Sequence, residues 1–238
     1  MSKFYIIATP IGNLGDITLR AIETLKSVDL ILCEDTRETK KLLVKYNINK
    51  PTMSYHAQSK LSKTDKIFEL LEEGKNLALV SDAGTPGISD PGALLVSKIK
   101  EKFNISTSTN SAIAENVDVN VQIIPIPGVS AVITALSASG LPTHEFIFLG
   151  FLPHKKGRET LFKEIAGAER TMVFYESPHR ILKTLEMLVK FCPDKKVCVA
   201  RELTKIYEEF KNGTPAEVLE YFLNNKERQR GEFTVIVA

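Results

Sequence analysis

The sequence is poor in the residues that build disulfide frameworks and tetrahedral metal sites. Its cysteines form no CxxC pair and are odd in number: Cys33, Cys192 and Cys198. The histidines are scattered along the chain: His56, His144, His154 and His179. Separated thiols are typical of reduced cytosolic proteins, and tetrahedral zinc requires clustered ligands. We therefore expect no disulfides and no bound metal.

Long apolar runs, a strong net charge and the standard nucleotide motifs are also missing. No run approaches the ~20 residues of a membrane helix, and MSKFYIIATPIGNL meets a proline and a glycine too early for a signal peptide. The net charge of +2 neither requires nor excludes nucleic acid. No GxxxxGKS or GxxxxGKT motif occurs, and no GxGxxG follows a strand pattern. We expect a cytoplasmic protein without a standard phosphate loop.

Short β-rich runs alternate with helical patterns along the chain. This alternation predicts an α/β fold with mainly parallel strands. Strand patterns lie at residues 4–8, 30–33, 52–55, 77–80, 123–126, 146–149, 171–175, 196–200 and 233–237. Helical patterns lie at 18–27, 36–46, around 67–71, after Asp90, at 129–139, after Ser177-Pro178 and after Thr214-Pro215. We predict two α/β domains, residues 1–125 and 126–238.

One segment departs from this alternation. Residues 104–121 are rich in Ser, Thr and Asn and contain no Lys or Arg. Such a composition favours a mobile surface loop over a packed element. We interpret the segment as a tolerated insertion rather than a functional lid.

The most informative stretch is the one that follows the strand at 77–80. Residues 81–92, SDAGTPGISDPG, combine three glycines, two prolines and two aspartates. Ligands of open parallel sheets bind beyond the carboxyl ends of strands, and glycine allows the backbone to approach them closely. A simple connecting turn needs fewer special residues. The pattern favours a preformed small-molecule site, and a ligand with an adenosyl group but no polyphosphate fits it better than ATP or NAD.

Two further turns follow predicted strands. TPIGNLG at 9–15 follows the first strand, and PGVSA at 127–131 follows the fifth. Each alone is an ordinary strand-to-helix connection. Together with residues 81–92 they predict one crevice at the carboxyl edge of a single sheet.

The order of several motifs resembles a known family. TPIGNLGDIT, EDTR, SDAGTPGISDPG, PGVSA, FYESPHR, ARELTK and GEFTVIV occur in the order found in the ribosomal RNA small subunit methyltransferase I family of the tetrapyrrole methylase superfamily. The resemblance covers nearly the whole chain, and the insertion at 104–121 departs from it. It implies a homodimer of two-domain α/β subunits that binds S-adenosylmethionine between the domains. It also implies methylation of the ribose 2′-hydroxyl of a cytidine in the decoding region of 16S ribosomal RNA.

The resemblance also implies the cofactor contacts. Those expected from the first domain are Pro10, Asp82, Gly84, Thr85 and Pro86. Those expected to lie against the cofactor from the linker helix are Ser130 and Ala131, and those expected to close the adenine side from the second domain are Tyr175, Leu203 and Thr234. An apolar slot with a few backbone and hydroxyl groups suits adenine.

Several cations are candidates for RNA contacts. Lys155, Lys156 and Arg158 form a basic loop that we expect to be exposed, and Arg37, Arg180 and Arg201 follow predicted strands. Phosphate contacts from such residues supply much of the affinity for RNA. The alternative is a solvated loop for the first three, and ion pairs for the other three with Glu34 or Asp35, Glu176 and Glu202.

The chemistry leaves other questions open. Deprotonation would activate a ribose hydroxyl, and His56, Glu176 and His179 adjoin predicted strand ends, but the sequence assigns no catalytic base. One rival function is methylation of a tetrapyrrole by the same fold. The absence of Trp and the basic loop at 155–158 favour RNA over an apolar macrocycle. The other rival is an RNA-binding scaffold without chemistry, for which residues 81–92 would be unnecessary.

Overall fold

The chain forms two compact units. The structure, a computed structural model, describes residues 1–56, 61–105 and 120–238. The first unit is Met1–Val129 and the second is Ser130–Ala238. Most of the predicted loop at 104–121 lies outside the described residues. In the part of the chain that is described, no helix is long and apolar enough to cross a membrane.

The first unit alternates strands and helices throughout. Its elements are β1 (Ser2–Ile7), α1 (Leu19–Ser27), β2 (Leu30–Cys33), α2 (Thr36–Lys45), β3 (Thr52–Ser54), α3 (Leu61–Glu72), β4 (Leu77–Val80), α4 (Gly92–Lys102) and β5 (Val121–Ile126). Thr18 caps α1 by accepting the Ala21 amide, and Asp35 caps α2 by accepting the Arg37 amide. The strands and helices predicted in this half are therefore confirmed, with small shifts of their ends.

The five strands of the first unit form an entirely parallel sheet. Their order is β3-β2-β4-β1-β5, so β1 lies between β4 and β5. Phe4 pairs with Leu77 on one side and with Ile123 on the other. Apolar clusters cover both faces of this sheet, one around Ile7 and Leu25 and the other around Phe4. Strands buried on both faces are expected of a parallel sheet.

The second unit is also built from strands and helices. Its elements are α5 (Ala131–Ser139), β6 (Phe146–Phe151), α6 (Arg158–Gly167), β7 (Thr171–Glu176), α7 (Ile181–Phe191), β8 (Val197–Arg201), β9 (Glu209–Gly213), α8 (Pro215–Asn224) and β10 (Phe233–Val237). Thr214 and Glu217 form a reciprocal capping box at the start of α8. The helix predicted after Ser177-Pro178 begins at Ile181. Neither α6 nor β9 was predicted from the sequence.

The sheet of the second unit is mixed rather than mainly parallel. Its order is β6-β7-β10-β8-β9, and only β6 and β7 are parallel neighbours. The other three pairs are antiparallel. The prediction of mainly parallel strands is thus wrong for this unit. Its physical reason lies at residues 202–208, because a connection this short cannot hold a crossover helix and must return the chain antiparallel.

Candidate functional site

The loops that follow β1 and β4 are joined by backbone hydrogen bonds. The Thr9 amide donates to the Gly84 carbonyl at 2.8 Å, and the Gly84 amide donates to the Thr9 carbonyl at 3.0 Å. The buried Thr9 hydroxyl also donates to the Ser81 carbonyl at 3.0 Å. The two neighbouring strands therefore end in one connected loop structure.

The turn that follows β5 joins the same structure. The Thr85 hydroxyl donates to the Val129 carbonyl at 3.0 Å. A Cβ atom at Gly128 would lie 2.9 Å from Ala8 Cβ, so only glycine allows this turn to pack so closely on the end of β1. The predicted convergence of the turns after β1, β4 and β5 is confirmed.

The conformation of the loop between β4 and α4 is fixed by its own backbone and side chains. Gly84 and Gly87 have φ values of +80° and +89°, which side chains rarely tolerate. The Asp90 carboxylate accepts the amides of Gly87 at 2.8 Å and Gly92 at 2.6 Å. Pro91 is the N-cap and α4 begins at Gly92, so the helix predicted directly after Asp90 starts one residue later.

Carboxylates surround this edge of the sheet. Asp82 Oδ1 accepts the Asp35 amide at 2.9 Å, which connects the β4 loop to the turn after β2. Burial raises the pKa of Glu34, and the negative charges of Asp82 and Asp90 raise it further. This arrangement offers acceptors and negative charge, which suit a cationic ligand and oppose a polyphosphate. Glu34 was not predicted as a site residue, although it stands directly after a strand.

The predicted cofactor residues of the first unit differ in exposure. Pro10, Gly84 and Pro86 are buried, Thr85 is half-buried and Asp82 is exposed. The hydrogen bonds above place Gly84 and Thr85 within one connected site. In the ranges that the structure describes, no group of three or more His, Cys, Asp or Glu side chains is arranged to hold a metal.

Two of the predicted cofactor residues of the second unit, Tyr175 and Thr234, lie on neighbouring strands. Tyr175 on β7 pairs directly with Thr234 on β10. Tyr175 forms a hydrogen bond with the backbone of Val132, next to Ser130 and Ala131, and burial raises the pKa of its phenol. Leu203, in the loop after β8, is buried. The edge-on contact of Phe148 with Tyr175, at 5.0 Å between ring centroids, and the tilted contact of Phe151 with Tyr175, at 5.4 Å, were not predicted.

The basic loop contains two exposed cations rather than three. Lys155 and Lys156 are exposed, whereas Arg158 is 5% exposed. Arg158 Nη2 donates to the Thr184 hydroxyl at 2.5 Å and pairs with Glu176 Oε2 at 3.4 Å. The expectation of an exposed Arg158 is wrong because residue 158 starts α6 and turns its side chain into the unit.

The other three arginines make ion pairs, as the alternative interpretation held. Arg37 pairs with Asp35 at 2.6 Å on the surface, and Arg180 pairs with buried Glu176 at 2.8 Å. Arg201 is buried, and its acidic partner is Glu209 at 3.9 Å rather than Glu202. Of the six predicted RNA contacts, the most accessible are therefore Arg37, Lys155 and Lys156.

Comparison with known proteins gives the family. The model of the tetrapyrrole (corrin/porphyrin) methylases matches residues 3–219. The ribosomal RNA small subunit methyltransferase I of Synechocystis is 46% identical, over 100% of this chain and 79% of the relative. That of Thermotoga maritima is 43% identical, over 100% of this chain and 99% of the relative. The chain belongs to the tetrapyrrole methylase family, in its ribosomal RNA small subunit methyltransferase I branch.

The tetrapyrrole methylase fold is also found among solved structures. A Thermus thermophilus uroporphyrin-III C-methyltransferase, solved with S-adenosylhomocysteine, has a TM-score of 0.60. The match covers 98% of this chain and 96% of that chain at 15% identity. A likeness at this identity shows the fold alone. The two sheets described above are therefore the fold of tetrapyrrole methylases.

Proposed function

We propose that this chain transfers a methyl group from S-adenosylmethionine to 16S ribosomal RNA, at the ribose 2′-hydroxyl of a cytidine in the decoding region. The observation that carries the proposal is the joined set of loops after β1, β4 and β5, in a chain of this methyltransferase family. The RNA substrate is inferred from the names of relatives that match the full length of this chain. The cytoplasm is its proposed location.

The residues at the carboxyl edge of the first sheet fit this cofactor. The Gly84 backbone is open to close approach, since a Cβ there would meet nothing nearer than Ile11 Cγ2 at 3.5 Å. Glu34 and Asp82 offer carboxylates to a ligand that is positive at its sulfonium and ammonium groups. S-adenosylmethionine supplies an already activated methyl group, so the chain's task is to align the acceptor and exclude water.

The proposed contacts of the cofactor divide between the two units. Pro10 is proposed to line the cofactor pocket, and the residues proposed to surround the methionine and ribose part are Asp82, Gly84, Thr85 and Pro86. Ser130 and Ala131 are proposed to lie against the cofactor, and Tyr175, Leu203 and Thr234 are proposed to contact its adenine.

Glu176 is unsuited to act as the general base. Oε2 accepts the Thr184 hydroxyl at 2.6 Å and lies 3.4 Å from Arg158. Oε1 accepts the Ser177 amide at 2.8 Å and forms an ion pair with Arg180 Nε at 2.8 Å. A buried carboxylate with donors at both oxygens serves the packing of this unit and leaves little access for an incoming ribose. His179, which is exposed, has no such obstruction.

Calorimetric titration with S-adenosylmethionine tests the cofactor site. Thr85→Val removes the hydroxyl that joins the loop after β4 to the turn after β5, so we expect weaker binding. Thr85→Ser keeps that hydroxyl and should bind as the wild type does. Equal affinity of all three proteins, or no binding by the wild type, would contradict the proposed site. A chelator should leave binding unchanged.

Methyl transfer from labelled cofactor to small ribosomal subunits tests the substrate. Mapping of the label should place it on a cytidine ribose in the decoding region. Label on a base, or on another RNA, would reject the finer proposal. Transfer only to a porphyrin-type acceptor would favour a tetrapyrrole methyltransferase, which the exposed Phe151 beside Tyr175 would suit. Cofactor binding without any methyl transfer would favour the alternative of a non-catalytic RNA-binding scaffold.

The exposed lysines provide a separate test of RNA contact. Lys155→Ala combined with Lys156→Ala should lower the salt slope of RNA binding by about two units, because each cation neutralises about one phosphate. Cofactor affinity and stability should remain near wild type, since neither lysine is buried. Arg158 is left unchanged here because its loss would disturb the interior. An unchanged salt slope would mean that the loop is merely solvated.

A homodimer is also proposed. Sedimentation at working concentration should give twice the chain mass, and a fully active monomer would contradict the proposal.

A further inference from the structure

The loop at residues 202–208, hereafter the finger loop, presents two apolar side chains to solvent. Ile206 is 95% exposed and Tyr207 is 65% exposed, whereas Leu203 in the same loop is buried. A single exposed apolar residue is ordinary and needs no explanation. Two adjacent ones at the tip of one loop become informative only if the loop holds them in a fixed position.

The backbone of the finger loop adopts an uncommon conformation. Glu202 has φ of +51° and Thr204 has φ of +64°, although neither is glycine. Such residues are rare and persist only where surrounding interactions determine the local structure. Residues in such conformations are enriched at functional sites, so the exposed side chains of this loop are candidates for a functional contact.

Several interactions hold this conformation in place. The Lys205 ammonium lies 2.9 Å from both the Glu202 and the Glu232 carboxylates. The Thr204 amide donates to the Glu208 carboxylate at 2.5 Å, and the Glu232 amide donates to Glu202 at 3.0 Å. The finger loop is thus closed on itself and tied to the start of β10.

A buried guanidinium links the finger loop to an exposed cation. Arg201 Nη1 donates to the Tyr207 carbonyl at 3.0 Å, and Arg201 Nε donates to the Arg230 carbonyl at 2.7 Å. The Arg230 side chain is exposed, and within the described residues it makes no ion pair. One guanidinium therefore fixes the backbones that carry an exposed aromatic ring and an exposed positive charge.

We propose that the finger loop contacts unpaired RNA, with Tyr207 stacking on a base and Arg230 contacting a phosphate. This inference rests on the proposed function, because it supplies a specificity element for that RNA. Single-stranded RNA is recognised mainly by aromatic stacking combined with cationic contacts to the backbone. A preformed loop loses little entropy on binding. A protein partner would be expected to use a broader apolar patch than these two side chains.

The test compares three substitutions at one position. Tyr207→Phe keeps a stacking ring, Tyr207→Leu keeps an apolar side chain, and Tyr207→Ala keeps neither. For a single-stranded RNA oligonucleotide we expect the Phe variant to bind normally and the other two about 5- to 150-fold more weakly, the range for loss of one stacked base. The KM for small subunits should rise in parallel, with the KM for S-adenosylmethionine unchanged.

Salt dependence separates the two proposed contacts. Arg230→Ala should lower the salt slope of RNA binding by about one, whereas Tyr207→Ala should lower affinity without altering the slope. Lys183→Ala, which removes an exposed lysine on α7, is the matched control and should change neither.

Other outcomes would overturn the inference. Unchanged RNA affinity in Tyr207→Ala would do so, as would equal behaviour of the Phe and Leu variants. Loss of self-association in Tyr207→Ala, detected by sedimentation with RNA affinity intact, would assign the finger loop to contact between copies of the chain. A wild type that binds the oligonucleotide through Tyr207 but methylates no small subunit would refute the proposed function alone.

Discussion

Replacement of Glu176 by glutamine should destabilise the second unit strongly. The Glu176 side chain is fully buried and pairs with two arginines, Arg158 and Arg180. Glutamine removes the negative charge but leaves both guanidinium groups in place. Breaking a buried pair from one side typically costs about 3–5 kcal/mol, because an uncompensated charge remains in the interior.

Urea denaturation followed by circular dichroism measures this effect. With a typical m-value of about 1–3 kcal/mol/M, a loss of about 3 kcal/mol lowers the midpoint by about 1–3 M. Glu164→Gln is the matched control, since Glu164 is exposed on α6. It should change stability by no more than about 0.5 kcal/mol. A second control is Arg158→Met combined with Glu176→Gln. It should recover part of the lost free energy of unfolding, because it removes one buried positive charge that has no partner.

Two results would refute this reasoning. An unchanged midpoint in Glu176→Gln would mean that the ion pairs contribute nothing to the fold. Normal stability with loss of methyl transfer would instead assign the carboxylate to catalysis, as the base that the structure argues against.

Three smaller perturbations test other features. Hydrogen bonds to Arg37 are the chief cause that lowers the pKa of the Asp35 carboxyl from 3.8 to about 2. The contribution of this carboxylate to the stability of the fold is therefore complete above about pH 4 and is lost as pH falls through about 2. In Arg37→Ala the pKa of Asp35 should return towards 3.8, and NMR titration measures this change. Thr214→Ala removes the capping box of α8 and should lower the free energy of unfolding by about 0.5–2 kcal/mol, with normal methyl transfer. Burial raises the pKa of Cys198 to about 11, so iodoacetamide at pH 8 should label it only after denaturation; rapid labelling of the native protein would contradict this burial.

The sequence predicts the first unit better than the second. A parallel sheet buried on both faces is made of continuous apolar runs, such as LALV at 77–80, which are easily recognised. By contrast, β9 has the sequence EFKNG and lies at the edge of its sheet. Edge strands carry charged residues because one side meets solvent. Such a strand gives no apolar pattern, so the antiparallel return of the chain was missed.

The joined turns of the candidate site were predictable, but the environment of its charges was not. Glycine and proline mark the turns after β1, β4 and β5 directly in the sequence. The burial of Arg158 depends on which face of α6 it occupies and on its pairing with Glu176, eighteen positions away. Similarly, the raised pKa of Glu34 arises first from its burial and then from the charges of Asp82 and Asp90, which belong to another loop. Charge environment is a tertiary property and needs the folded chain.

The strand orders have a consequence for biosynthesis. The earliest strand, β1, must remain without neighbours until β4 and β5 have been made, and the latest strand, β10, fills the gap between β7 and β8. At about 5–20 residues per second, synthesis as far as residue 126 takes roughly 6–25 s after β1 is made. During that interval the apolar segment FYIIA cannot complete its hydrogen bonding on the ribosome. The sheet of the second unit likewise cannot close until Val237 has left the exit tunnel.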